Sequence, residues 1–247
     1  MESLGGKLAL VTGAAGVVGL ALSEALIEDG LRVVMVDLHA ARLAELAERL
    51  GPNAIPLVLD ISDAAAVAAA WAGIRRDHGA VQVLINNAGV LSNDKAAETA
   101  PEAWRRLMSV NLDGAFYMCR EALPAMKAEG WGRIVNMCSL AMKTGGLTAG
   151  TAYTASKGGL AALTFSLARE SAGDGVTANG IAPAYITTPM VTEQLTEVQR
   201  QKLLAEIPVG RFCEPEEVAH VVRFLVSPLA GFITGEIVDI NGGLHLD

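Results

Sequence analysis

The sequence is short of aromatic rings, of cysteine and of positive charge. Phe, Trp and Tyr make up 4 % of its 247 residues, against 51 % hydrophobic residues in all. The core must therefore be filled by alanine and branched aliphatics. With 26 glycines beside them, this composition suits close helix-to-sheet packing and backbone that approaches a ligand. So large an apolar fraction excludes intrinsic disorder. Cys119, Cys138 and Cys213 show no paired or metal-like spacing, which predicts free thiols in a reducing, cytoplasmic setting and no metal site. Lys and Arg number 19 against 27 Asp and Glu, a net charge of −8. That balance offers no basic surface to nucleic acid.

A membrane span is also missing, despite a mean hydropathy of +0.37. The longest charge-free stretch, Gly175–Thr192, approaches the ~20 residues a span needs, yet it holds Asn179, Pro183, Pro189 and several threonines. The opening Met1–Lys7 has neither the basic start nor the apolar run of a signal peptide.

What is present is a regular alternation of short apolar runs with longer segments of helical period. Lys7–Val11, Arg32–Val36, Ala54–Leu59, Val81–Ile85, Arg133–Met137, Val176–Ile181 and Glu236–Ile240 read as strands. Val17–Glu28, Ala40–Leu50, Asp63–Arg76, Pro101–Lys127, Ala152–Ser171 and Glu214–Val226 read as the helices between them. This order predicts an α/β fold, a doubly wound parallel sheet of Rossmann type, with the ligand at the carboxyl edge of the strands. No linker or repeat divides the chain, so residues 1–247 read as a single domain. The polar stretch 187–208 interrupts the alternation at the ligand edge and is expected to form a helical substrate lid.

Thr12-Gly13-Ala14-Ala15-Gly16-Val17-Val18-Gly19 follows the first strand and opens a helix. Such a turn brings free N–H groups and the positive end of the helix dipole to a phosphate. Asp37 ends the second strand, where a carboxylate accepts from a ribose diol and repels a 2′-phosphate. NAD is therefore expected ahead of NADP. Asp37 is equally placed to cap the helix beginning near Ala40. Asp60-Ile61 and Asn86-Asn87-Ala88-Gly89 fall after the third and fourth strands, on the same edge. Asp60 suits an adenine amino group and Ile61 the ring, while Asp60 or Ser62 also suits a helix cap and the asparagine pair a turn.

Tyr153 and Lys157 lie four residues apart on a predicted helix, hence on one face. A tyrosine acting as a proton carrier near neutrality needs its pKa of about 10 lowered by roughly three units, and a neighbouring ammonium favours the phenolate. Alone, such a pair is usually a solvated helix face. Ser139, after the strand Arg133–Met137, adds a hydroxyl that can polarise a carbonyl oxygen. His39, His78, His220 and His245 are scattered, which argues against a Ser-His-Asp nucleophile and a zinc site.

Taken in order, the Thr12–Gly19 loop, Asp60, Asn86-Asn87-Ala88-Gly89, Asn111, Ser139, Tyr153, Lys157, Pro183–Thr188 and Asp239–Gly243 resemble the single-domain short-chain dehydrogenase/reductase family along essentially the whole chain. The resemblance implies a tetrad of Asn111, Ser139, Tyr153 and Lys157. Tyr153 would exchange a proton with the substrate oxygen held by Ser139. Lys157 would lower the tyrosine pKa and bind the nicotinamide ribose, and Asn111 would anchor a water linking Lys157 to solvent. It further implies cofactor contacts by Thr12, Gly13, Gly16, Val18, Gly19, Asn87, Ala88, Gly89, Pro183, Ile186 and Thr188, and a homotetramer.

Three positions depart from the family pattern. Its middle loop glycine falls on Val17, its Pro-Gly is Pro183-Ala184, and Ser139 stands one residue further from Tyr153 than usual. That extra residue is assigned to the loop Lys143–Gly150. Leu91, Leu140, Met142, Tyr185, Met190 and Leu195 are expected at the pocket or lid, Leu140, Tyr185 and Met190 touching substrate. The substrate is expected to be a polyol, sugar or other secondary alcohol, or the matching ketone. A 3-oxoacyl-carrier-protein reductase is the alternative, weakened because the carrier-binding arginines of those enzymes align with Gly130 and Asp174 and their basic cofactor residue with Gly16. A non-catalytic dinucleotide sensor is the alternative of another class.

Overall fold

The structure is a computed structural model that describes residues 4–188 and 196–246. Its centre is a seven-stranded parallel sheet in the order β3-β2-β1-β4-β5-β6-β7. The strands are β1 (Leu8–Thr12), β2 (Arg32–Asp37), β3 (Ala54–Val58), β4 (Val83–Asn86), β5 (Gly132–Met137), β6 (Val176–Pro183) and β7 (Ile237–Ile240). Most read as unbroken apolar runs, because a parallel sheet sandwiched between helices buries both of its faces. β1, β4, β5 and β6 are buried at every position.

One face carries α1 (Val17–Glu28), α2 (Ala40–Leu50) and α9 (Pro215–Val226). Leu22, Leu26, Leu43, Leu46, Val218, Val222 and Leu225 belong to one core there, all fully buried. At roughly 1.5–3 kcal/mol for each fully buried aliphatic side chain, this layer contributes much of the fold's stability. The other face carries α3 (Ala64–His78), α5 (Gly114–Glu129) and α7 (Thr151–Ser171). Its core is built from Val67, Trp71, Met118, Met126 and Leu167.

Local signals fix the helix starts. Asp63 Oδ1 accepts from the amides of Ala65 and Ala66 at 2.9 and 3.0 Å, so Asp63 caps α3 rather than Asp60 or Ser62. A reciprocal Glu214–Glu217 capping box, with Pro215 in the first turn, opens α9.

The expected helix Pro101–Lys127 is continuous but carries a π turn. α4 (Pro101–Met108) passes through a π-helical turn, Ser109–Asp113, before α5 begins. Asn111 stands at its centre, its amide tied to the backbone of Val90 outside the helix, and π turns of this kind are frequent at functional sites.

The strand order reverses between β1 and β4, which leaves a crevice at their carboxyl ends. The glycine turn after β1, the Asn87–Gly89 turn after β4, Ser139 after β5 and Tyr185 after β6 all open onto this edge. Within the stretch 187–208, α8 (Glu197–Glu206) is helical and buries Leu203, and Ile207 just beyond it is also buried. Met190 and Leu195 lie outside the described residues. No helix among the described residues is long and apolar enough to cross a membrane.

Candidate active site

The glycine turn is shaped by its neighbours across the crevice. The Thr12 hydroxyl accepts from the amides of Asn87 and Ala88, each at 3.0 Å. Asn87 Nδ2 returns bonds to the carbonyls of Thr12 (2.9 Å) and Gly13 (3.3 Å). Thr12 and Asn87 thus staple the two turns together. Gly13 takes the left-handed conformation, φ +66°, and a Cβ there would lie 2.9 Å from Ala88 Cα. Gly16 precedes α1 in extended conformation and supplies no side-chain cap. The helix therefore presents its first-turn N–H groups to the crevice, with Val17 and Val18 following. A pyrophosphate fits this cradle: glycine backbone on one side, a helix N-terminus behind it.

Asp37 reaches the same turn. Its Oδ2 accepts from the Ala15 amide at 3.0 Å, and its Oδ1 from the His39 amide at 3.1 Å with the His39 ring Nδ1 at 2.9 Å. Burial raises its pKa, but the bonds from His39 and Ala15 outweigh that, and the carboxyl ends below its ordinary value. A charged carboxylate therefore stands where a ribose diol would arrive. Asp60 Oδ1 accepts from the amide and hydroxyl of Ser62 at 2.9 and 2.7 Å. Ile61 is buried in the core against Gly114, so its side chain supports the start of α5.

Ser139, Tyr153 and Lys157 converge at the other end of the crevice. Ser139 follows β5, and Leu140 is held to β6 by its amide bond to the Pro183 carbonyl, 3.0 Å. A hydrogen bond from Ser139 lowers the Tyr153 pKa, yet burial is the larger effect and leaves the phenol above its ordinary 10. Lys157 Nζ lies 5.7 Å from the centre of the Tyr153 ring and donates to the Met137 carbonyl at 2.6 Å. Burial pushes this amine down to about 8. In the chain by itself, then, burial holds both groups towards their neutral forms.

Asn111 completes the cluster. Its Oδ1 accepts from the Val90 amide at 2.8 Å, and its Nδ2 donates to the Val90 carbonyl at 2.9 Å and to Ser156 Oγ at 3.1 Å. Ser156 in turn donates to the Tyr153 carbonyl at 2.7 Å. Gly89 packs between them, and a Cβ on it would lie 3.3 Å from Asn111 Oδ1 and 3.5 Å from Lys157 Nζ. The sequence offered no sign that Val90 and Ser156 link Asn111 to Tyr153, since a backbone partner leaves no motif. Cys138 is buried beside Lys157, and burial raises its thiol to about 11.

The rim is formed by Tyr185, whose ring is tilted against Phe212 at 6.1 Å. Ile186 pairs as a single bridge with Cys213, and Thr188 follows it. Lys143 Nζ is bonded to Asp239 Oδ2 at 2.7 Å, which ties the segment after Ser139 to β7.

A family model described as enoyl-(acyl carrier protein) reductase matches residues 13–245. The 3-oxoacyl-(acyl-carrier-protein) reductase FabG of Vibrio harveyi is 37 % identical over 244 residues, covering 99 % of both chains. The protein of the same name from Escherichia coli strain K12 is 35 % identical over 241 residues, covering 98 % of both. Among solved structures, a short-chain dehydrogenase/reductase from Brucella melitensis described as a glucose/ribitol dehydrogenase superposes with a TM-score of 0.91, at 32 % identity and over 100 % of both chains. With this geometry and these relatives, the chain belongs to the short-chain dehydrogenase/reductase family.

Proposed function

We propose that the protein interconverts a ketone and a secondary alcohol, and that its preferred substrate is a 3-oxoacyl thioester. What carries the reaction type is the convergence of Ser139, Tyr153 and the buried Lys157 beside the glycine cradle. The substrate oxygen would sit between the hydroxyls of Ser139 and Tyr153. Ser139 orients it, and Tyr153 donates the proton in reduction or removes it in oxidation. Lys157, fixed by the Met137 carbonyl, faces the nicotinamide ribose and favours the phenolate whenever it carries its proton. Asn111 holds Val90 and Ser156 in place beside both groups and would anchor a water linking Lys157 to solvent. A nicotinamide dinucleotide, when bound, supplies or accepts the hydride. Thr12, Gly13, Gly16, Val18, Gly19, Asn87, Ala88 and Gly89 would line its phosphates and ribose, and Pro183, Ile186 and Thr188 its nicotinamide. The segment 187–208 would cover the substrate.

The thioester assignment is supported by the names of the full-length relatives, and it displaces the polyol expected from sequence. A polyol or sugar remains the second reading, favoured by the description of the Brucella melitensis structure. The ionised Asp37 supports NAD(H) ahead of NADP(H). Exposed Phe116 on α5 and Phe165 on α7, with Phe232 and Leu246 near the C-terminal strand, support a homotetramer, which light scattering would measure.

The deciding assay follows dinucleotide absorbance with acetoacetyl-CoA in reduction and with ribitol and glucose in oxidation, with Tyr153→Phe as control. Turnover of acetoacetyl-CoA that is lost in the variant supports the proposal. Turnover of the polyols alone selects the second reading. Cofactor binding without turnover of any compound points to a non-catalytic dinucleotide sensor.

A further inference from the structure

The chain between Ser139 and Tyr153 walls the substrate side of the crevice. Between the short helix α6 (Ala141–Thr144) and α7 it has no secondary structure to hold it. This is also where the sequence carries its one extra residue. Residues 145–150 are docked along the loop that follows β4. The Gly150 amide donates to the Ser92 carbonyl at 2.8 Å, and the Thr151 amide to the Asp94 carbonyl at 3.1 Å. The approach is so close that a Cβ on Gly150 would overlap the Asp94 carbonyl oxygen.

Lys95 completes the contact. Its Nζ donates to the carbonyl of Ala149 at 2.7 Å and to that of Gly146 at 3.2 Å. The backbone under Lys95 is braced in turn, since its own carbonyl accepts from the amides of Glu98 and Thr99 and from the Thr99 hydroxyl. One ammonium therefore grips both ends of the turn 146–149 from a fixed base. From that turn the Thr148 hydroxyl reaches the Tyr185 phenol oxygen, 3.2 Å away. Tyr185 belongs to the opposite wall, two residues beyond the Pro183 carbonyl that holds Leu140 next to Ser139.

We propose that Lys95 is a positioning residue for the substrate: by holding the carbonyls of Gly146 and Ala149 it keeps Thr148 against Tyr185, and so sets the width of the crevice above Ser139 and Tyr153. The proposal rests on the ketone–alcohol reading of the site. Lys95 touches no reacting atom and no part of the glycine cradle. Its loss therefore acts on substrate binding and leaves dinucleotide binding alone.

The test compares the full chain with Lys95→Met and Lys95→Arg. Hydrogen exchange is read at 145–150, and the Tyr185 resonance in protein carrying 13Cζ-tyrosine, assigned with Tyr185→Phe. KM and kcat are read with acetoacetyl-CoA, ribitol or glucose, and the NADH dissociation constant is read by fluorescence. In Lys95→Met, exchange at 147–149 is expected to quicken about tenfold and the Tyr185 resonance to move. KM should rise about fivefold with kcat nearly constant and NADH affinity unchanged, and Lys95→Arg should restore each value. The proposal is overturned if exchange and the Tyr185 resonance match the parent, or if they change while KM does not. If none of the three compounds is turned over, the proposed function fails, while exchange and the Tyr185 resonance still decide whether Lys95 holds the rim.

Discussion

Gly19, in the first turn of α1, lies directly against the carbonyl of Gly13, so that a Cβ built on Gly19 would overlap the Gly13 oxygen. The two residues meet because the chain leaves β1, turns through the left-handed Gly13 and re-enters as a helix within a few residues. The cradle is therefore a product of close backbone packing as much as of phosphate affinity. Gly16 is different: a Cβ there would be 3.4 Å from the same oxygen, an ordinary contact, and its φ of −75° suits any residue.

Gly19→Ala should accordingly destabilise the protein by about 2–3 kcal/mol through overpacking and weaken NADH binding. Gly16→Ala should change stability by less than about 1 kcal/mol. Urea unfolding of the two variants checks the contrast. Equal losses would show that the turn yields at both positions.

Lys157 makes a prediction about stability and pH. Its amine is pushed from 10.5 down to about 8 by burial. Between those values the unfolded chain binds a proton that the folded chain does not, so stability rises with pH across the window. Below it, folding carries the full cost of burying the charge. Relative to Lys157→Met, the parent should gain roughly 1.4 kcal/mol per pH unit from about pH 8 to 10.5. Paired urea titrations at pH 7, 9 and 10 measure this, and a pH-independent difference would show that the amine keeps its ordinary affinity for protons.

The layer order, the parallel sheet and the carboxyl-edge placement of Asp37, Asn87, Ser139 and Tyr153 were legible in the sequence, because apolar period and turn chemistry are local properties. The π turn between α4 and α5 was not. Nothing in Val110-Asn111-Leu112 marks a π turn, and Val90, which binds the Asn111 amide at both ends there, is distant in sequence. The bond from Ala15 to Asp37 was invisible for the same reason. Composition pointed to a dinucleotide, whereas the rim of Thr148, Tyr185 and Lys95 joins three residues of no shared motif.

Asp37 does two things that substitution can separate. Its charge would repel a 2′-phosphate, and its Oδ2 holds the Ala15 amide. Asp37→Asn keeps an acceptor for Ala15 and removes the charge, whereas Asp37→Ala removes both. The NADPH-to-NADH affinity ratio should rise about tenfold in each variant, about 1.4 kcal/mol. NADH affinity itself should fall further in Asp37→Ala. Fluorescence titration with both dinucleotides gives these constants, and a parent protein that already binds NADPH more tightly would defeat the assignment.

If Tyr153 carries the proton, as proposed, its burial ties the reaction to pH. Burial holds the phenol above its ordinary 10, and the hydrogen bond from Ser139 pulls the other way. Oxidation of an alcohol needs the phenolate, so its kcat/KM should climb with pH into the alkaline range. Reduction of a ketone needs the protonated phenol and should decline over the same range. Ser139→Ala removes the bond that favours the phenolate, so the alkaline limb of oxidation should move to still higher pH while the rate falls. Tyr153→Phe should lower kcat by roughly 10²–10⁴-fold and abolish the limb altogether, with the fold and NADH affinity retained because the ring stays. Should the phenylalanine variant keep the parent's pH profile, another group carries the proton, and Lys157, buried and held by the Met137 carbonyl, is the one that remains at the site.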